Sequence, residues 1–360
     1  MHSRSGVKGR ITVSGSIYDP ESGLRSGSAV IENGEITFSD QMIRNPDIEG
    51  TVIPSFVNAH THIGDACIDA PPHGIDLAGY VRPPSGYKHM ILAKTPDHMK
   101  IKSITEYLST TFWNGITHIH DFREEGVKGI QIAKNALQAT GLPLNLFLYG
   151  RPTNESPPES VLSHCDGLGI SSREDVGEEM ARHLSDLARA RGKVFALHAS
   201  EERRVEILPV LDLKPAFIVH MCHAEKEDFI PCAERGVPIV VCPRSNAVFN
   251  REPDVEGMLN AGVSVMLGTD NASVSRPDMF EEMRFLYLQK KRRIHPAEIV
   301  KMATITPRKV FKAEERFRLR DGALVLSRRF KDLESLVLKG GPEHIHTILI
   351  GGKLYRRLQP

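Results

Sequence analysis

Two histidines, His60 and His62, stand one residue apart at the end of an apolar run, FVNAHTH. On an extended strand, side chains two apart share a face, so both imidazoles can reach one ion. The same kind of ending recurs along the chain. KVFALHAS carries His198, AFIVH ends in His220, and VSVMLGTD ends in Asp270. Three imidazoles and a carboxylate can hold a divalent metal while leaving a place for water. Such an ion brings the pKa of water down to about 7, so hydroxide becomes available at neutral pH. The chemistry these residue types point to is therefore hydrolysis. A lone histidine at a strand end is more often a structural, hydrogen-bonded residue. The joint placement carries the argument, since these groups end separate runs at the same side.

The elements around them explain how groups so far apart in sequence would meet. From residue 52, short apolar runs alternate with amphipathic stretches. TVIPSFVNA, GITHIH, LPLNLFLYG, DGLGIS, KVFALHAS, AFIVHMCH, VPIVVCP and VSVMLGTD read as strands. Helices are expected near 96–113, 127–139, 158–163, 173–191, 202–210, 225–235, 255–261 and 277–291, with Ser171 or Ser172 capping the fourth. Eight such units are the number that closes a (β/α)8 TIM barrel, whose sites lie at the C-terminal ends of the strands. Two more helices, near 296–304 and 307–312, each open on a proline. Before residue 53 and after residue 318 the pattern is of short strands, including the hairpin signal ENGE and the runs GALVLS, LESLVLKG and HTILIGGKLYRR. Both ends of the chain are expected to pair into a small β-sandwich domain. The division is 1–52 plus 318–360 for that domain and 53–317 for the barrel.

The bulk numbers exclude other classes. The chain has 360 residues and a formal net charge of +1. That balance calls for neither nucleic acid nor an anionic membrane surface. The apolar runs are too short to span a bilayer, and the N-terminus has no apolar signal core. Five scattered cysteines form no CxxC pair and suggest no disulfide framework, which fits a reducing, cytoplasmic location. The expected partner is a small molecule, and a homo-oligomer is compatible with the sequence.

Other polar residues fall near strand ends. His118 and His120 end the second strand, and His120 is a candidate substrate contact with a structural role as its alternative. Arg123 and Glu124 follow that strand, Arg151 follows the third, and Arg244 with Asn246 follow the seventh. An arginine at a barrel mouth can clamp a carboxylate or phosphate, although a surface salt bridge is an equal alternative for each. Cys222 and Cys242 read as small buried thiols. His344 and His346 read as surface residues of the terminal β unit.

The motifs FVNAHTH, LHASE, VHMCH, VCPRSNA and LGTDN, in this order over roughly residues 50–315, resemble the successive signatures of the amidohydrolase superfamily. The similarity is greatest to its cytosine deaminase-like and chlorohydrolase-like branch. The resemblance implies His60, His62, His198 and Asp270 as metal ligands, with zinc expected before iron. It implies Glu201 as general acid/base and His220 as the residue that polarises the group under attack. It assigns His223 no chemistry. Two-metal relatives carry a bridging lysine at the end of the third or fourth strand. Here those strands end LFLYGRP and GLGISS, which implies a single ion. The loop after His62 and the TDN in place of TDG depart from well-studied members, and these departures bear on the substrate.

The activity so implied is hydrolytic deamination of an aminated heterocycle. Asp270 and Glu201 would handle the protons of the attacking water, and His220 would stabilise the developing negative charge. An amide, formamide or chloro-heterocycle hydrolase would use the same residues. A non-catalytic barrel homologue would be expected to have lost a ligand, and none is missing.

Overall fold

In the computed structural model, residues 9–33, 35–311 and 322–357 are described. The first two runs, β1 (Arg10–Asp19) and β2 (Gly23–Glu32), pair antiparallel along their whole length, from Arg10 opposite Glu32 to Asp19 opposite Gly23. β3 (Glu35–Ser39) pairs antiparallel with β2, with Glu32 opposite Glu35; the ENGE signal includes residue 34, which lies outside the described residues. β4 (Ile48–Pro54) returns parallel to β1. Only Ser55 separates β4 from β5 (Phe56–His62), so one extended stretch serves two sheets.

The second sheet is parallel throughout. It continues through β6 (Ile116–Arg123), β7 (Asn145–Gly150), β8 (Gly167–Ile170), β9 (Val194–Ala199), β10 (Phe217–His220), β11 (Ile239–Val241), β12 (Val265–Leu267) and β13 (Asp270–Asn271). Each strand up to β12 pairs with its predecessor, while β13 pairs with the far side of β5. Gly268 and Thr269 alone separate β12, at one end of this order, from β13 at the other, so the sheet is strongly curled. Gly268 is required there: a Cβ would stand 2.8 Å from the His60 carbonyl oxygen. The curled sheet is filled by Ala59, Phe122, Tyr149, Phe217, Val219 and Met266, among others. These short, continuous apolar runs suit strands covered on both faces.

Helices join the strands and cover the sheet. The stretch expected as one helix over 173–191 is two, Arg173–Val176 and Glu178–Ala190, broken at Gly177 with φ 85°. Ser172 caps the first by accepting from the Asp175 N–H. The helix expected from residue 202 begins at Ile207; bends and irregular backbone occupy 200–206.

The closing strands β14 (Ala323–Leu326), β15 (Ile345–Ile350) and β16 (Lys353–Arg356) complete the terminal sheet in the order β16-β15-β14-β4-β1-β2-β3. Two stacked layers were the expectation; the hydrogen bonds instead connect all seven strands into one mixed sheet. Alternation along β14 sends Leu324 and Leu326 into the main core, and Ala323 and Val325 into a separate cluster with Val13 and Val52. LESLVLK is a helix, Leu333–Lys339, not a strand. Asp332 and Ser335 form a capping box, and Leu333, Leu336 and Val337 are buried at helical spacing. No helix among the described residues is long and apolar enough to cross a membrane.

Candidate metal centre and cavity

Strand-end placement brings the singled-out side chains together. Asp270 lies beside Thr61 in the β5–β13 pairing, level with the two histidines that flank that residue. His60 Nε2 is 3.3 Å from Asp270 Oδ1 and 3.3 Å from His198 Nε2, and His62 Nε2 is 3.6 Å from the same Asp270 oxygen. Zinc bonds of about 2.0–2.2 Å place tetrahedral ligands about 3.3–3.6 Å apart, so these spacings fit one divalent ion. Ligand atoms of His60, His62 and His198 form one close group, and those of His60, His220 and Asp270 form another. Phe122 lies against the rings of His60 and His198, at 4.7 and 5.0 Å between centroids. His220 and Asp270 have left-handed backbones, with φ of 76° and 60°. Such conformations cost free energy and persist where the surrounding structure enforces them.

The outer hydrogen bonds select the ring nitrogen that faces the centre. His62 Nδ1 is 2.9 Å from Glu124 Oε1, and His198 Nδ1 is 2.9 Å from the Ile170 carbonyl oxygen. Each bond places the proton on Nδ1 and leaves the Nε2 lone pair for a ligand role. Burial disfavours the charged imidazoles. It lowers His60, takes His62 down to about 3, assisted by the Lys88 charge, and holds His198 well below its usual value. Neutral imidazole is the metal-binding form. Burial opposes the Asp270 charge, but the hydrogen bond from His60 and the neighbouring imidazoles keep it well below the usual carboxylate range. Its other oxygen accepts from Ser245 Oγ at 2.5 Å and from Asn271 Nδ2 at 3.0 Å.

Glu201 and His220 face each other beside this group, with Oε1 and Nε2 3.3 Å apart. Burial first, and the Asp270 charge second, push Glu201 up to about 8. Asn246 Nδ2 donates to His220 Nδ1 at 3.0 Å, which leaves the imidazole proton on Nε2. An acid that carries a proton near neutrality and a fixed N–H donor thus share one side of the centre.

Behind His62 lies a buried ionic cluster. Lys88 Nζ is 2.9 Å from Glu124 Oε1, 3.2 Å from Asp65 Oδ2 and 3.3 Å from Asn271 Oδ1. Burial opposes its charge, but the carboxylates of Asp65 and Glu124 raise it above the ordinary lysine value. Arg123 bonds Glu124 at 2.6 Å and Asp121 at 3.4 Å. A cavity of about 840 Å³ opens onto the centre, lined by His62, His198, Glu201, His220 and Asp270, with Lys88 and Arg151 on its wall.

Of the five candidate substrate contacts, Arg151 is the one on this wall. Its Nε is buried without a hydrogen-bond partner. His120 lies deeper in the sheet, stacked on Phe147 and Phe311 and 2.7 Å from the Tyr149 hydroxyl, which makes it part of the packed interior. Arg123 is buried against Gly64, where no larger residue would fit. Arg244 is held by Glu282 at 2.8 Å and Glu281 at 2.6 Å, on the helix Met279–Gln289. Asn246 touches His220, not the cavity. These four positions lie behind the cavity wall in this structure: a strand end supplies both the mouth and its buried supports, and side-chain direction separates them. His118 bonds Thr117 and Asn145 near the start of β6 and β7. His223 is exposed, His344 and His346 are half-buried, and all five cysteines are free. Lys88, Asp65 and Ser245 were missed. Lys88 and Asp65 belong to the loop segment after His62, which has no strand rhythm to place them; Ser245 sat unremarked between Arg244 and Asn246.

The model of the amidohydrolase family matches residues 51–317. An uncharacterized protein of Methanocaldococcus jannaschii is 34% identical over 321 residues, covering 83% of this chain and 84% of its own. A 5-methylthioadenosine/S-adenosylhomocysteine deaminase of Caldicellulosiruptor saccharolyticus is 22% identical, over 93% of this chain and 90% of its own. Among solved structures, a 5-methylcytosine deaminase from Klebsiella pneumoniae superposes with a TM-score of 0.75 at 14% identity, covering 97% of this chain and 98% of that one.

Proposed function

The chain belongs to the amidohydrolase family, metal-dependent hydrolases acting on C–N bonds, and we propose that within it this protein is a hydrolytic deaminase of a small aminated heterocycle. The observation that carries the proposal is the Glu201–His220 pair standing beside the His60–His62–His198–Asp270 group at the mouth of one cavity. The deaminase names of relatives and structural neighbours support the same reading. It takes the curled sheet as a closed (β/α)8 barrel over 53–317, with 1–52 and 318–360 as the companion domain. It takes a single zinc ion, held by His60, His62, His198 and Asp270, as the cofactor, and the cytoplasm as the location.

When bound, the ion supplies the Lewis acidity that brings water toward ionisation at neutral pH. Asp270 orients that water through its carboxylate and keeps its own charge against the surrounding imidazoles. Glu201 gives the proton it carries to a ring nitrogen and, once ionised, takes a proton from the attacking water and passes it to the departing amine. His220 donates its Nε2–H toward the atom that gains negative charge, while Asn246 keeps that proton in place. Arg151, with no protein partner for its Nε, is assigned to an acceptor group on the substrate.

The test is an ammonia-release screen of the zinc-loaded protein over purines, pyrimidines, pterins and triazines. Ammonia from at least one ring amine is the expected result. Product formed without ammonia would move the assignment to amide or chloro-heterocycle hydrolysis.

A further inference from the structure

Lys88, in the 63–95 segment, lines the cavity beside the candidate centre, and none of its bonding capacity is spare. An ammonium has three N–H donors. Here they meet three acceptors, Asp65 Oδ2, Glu124 Oε1 and Asn271 Oδ1, at 3.2, 2.9 and 3.3 Å. Although Lys88 borders the cavity, it has no donor left for a ligand. Its acceptors are informative. Glu124 uses the same oxygen to hold His62 Nδ1, and Asn271 uses its amide to hold Asp270 Oδ2 at 3.0 Å. The path His62–Glu124–Lys88–Asn271–Asp270 therefore joins two members of the group from behind.

Lys88 sits in the helix Tyr87–Lys94 of a segment that also makes contacts over the strand ends. Tyr80 bonds Ser273, Arg82 pairs with Glu202 at 2.9 Å, and Leu77 and Tyr80 pack with Phe249. Leu77, Ala78, Val81, Arg82 and Pro83 form part of the cavity wall. We infer that Lys88 is a positioning residue that couples the seating of this wall to the orientation of His62 and Asp270. The inference rests on the reading of those two residues as metal ligands. Coupling of this kind is reciprocal: a seated wall tightens metal binding, and bound metal seats the wall.

The experiment compares the wild type and Lys88→Met, each as the full chain stripped of metal and then titrated with Zn2+. One readout is zinc affinity by competition with a chromophoric chelator. The other is amide hydrogen exchange of residues 63–95 with and without zinc. Direct partners of metal ligands are worth about 10–100-fold in affinity; Lys88 acts one bond behind them, and a loss at the lower end, about tenfold, is expected for Lys88→Met. Zinc is expected to slow exchange over 63–95 about tenfold or more in the wild type, and less than about twofold in the variant. A purely structural lysine would speed exchange equally with and without zinc, leaving that ratio intact. Unchanged affinity together with an intact ratio overturns the coupling. A wild type that holds no zinc overturns the ligand reading and the coupling with it. If Lys88→Met does not fold, Asn271→Ala cuts the other arm and must reduce the same ratio; an unaltered ratio there overturns the coupling as well.

Discussion

Asn246 Nδ2 lies 3.0 Å from His220 Nδ1, and the opposite ring nitrogen lies 3.3 Å from Glu201 Oε1. The amide fixes which nitrogen bears the proton, so the donor faces the cavity. Replacing Asn246 with leucine removes that control. A hydrogen bond of this kind is worth about 1–2 kcal/mol, so kcat is expected to fall about 5–30-fold with KM little changed. Steady-state kinetics on a substrate found by the ammonia screen checks it. An equal rise in KM would instead make Asn246 part of the binding surface.

Glu201→Gln keeps shape and hydrogen-bonding capacity but cannot shuttle a proton. General acid–base catalysis contributes about 10²–10⁴-fold, and a loss of that size is expected with the zinc content unaltered. Full activity in this variant would remove Glu201 from the mechanism.

Metal content separates one-ion from two-ion chemistry. β7 and β8 end at Gly150 and Ile170, followed by Arg151 and Ser171, with no lysine to bridge a second ion. Elemental analysis is expected to find about one transition ion per chain. Removal by a chelator should abolish turnover, and zinc should restore it. Two tightly held ions would contradict the single-ion assignment.

The strand ends were legible because a parallel sheet repeats one arrangement: an apolar run, then a polar residue at the mouth. That rhythm located His60, His62, His198, His220 and Asp270 on one rim without any structural information. What it does not encode is direction. His120 and Phe122 follow the same alternation on β6, yet Phe122 meets the His60 ring and His120 meets Phe311 in the packed interior. LESLVLK was misread because its leucines and valine suit either period, and the Asp332 cap that decides for helix is a local signal outranked by the surrounding strands. Lys88 was invisible because its partners Asp65, Glu124 and Asn271 lie in three separate segments that only the folded loop brings together.

His118 offers a test on stability instead of catalysis. Burial first, and Arg308 second, lower it from 6.5 to about 3 in the folded protein. The unfolded chain binds the extra proton first, so this contribution is fully present above the unfolded pKa. It is lost progressively as pH falls from 6.5 toward 3. His118→Asn should flatten the pH dependence of the denaturation midpoint in that window, by at most about one proton or 1.4 kcal/mol per pH unit. Parallel curves for the two proteins would show that His118 is not titrating differently on unfolding.

Arg151 and Arg244 were singled out on the same ground, and their surroundings now separate them. Arg244 spends its guanidinium on Glu281, Glu282 and the Arg276 carbonyl oxygen. Cutting it to methionine strands the fully buried Glu282, and breaking a buried pair costs about 3–5 kcal/mol. The expected result is a lower denaturation midpoint. Arg151 faces the cavity with its Nε unpaired and close enough to Lys88 and His89 to disfavour their charges. A cation set beside the Lys88 ammonium and facing a cavity has little to lose from the fold and an acceptor to gain from a ligand. Arg151→Met is expected to leave the midpoint within about 0.5 kcal/mol, as for a substitution that breaks no protein contact, and to raise KM about tenfold, the size of one lost charged hydrogen bond. A stability loss comparable to that of Arg244→Met, with KM unmoved, would place Arg151 among the supports.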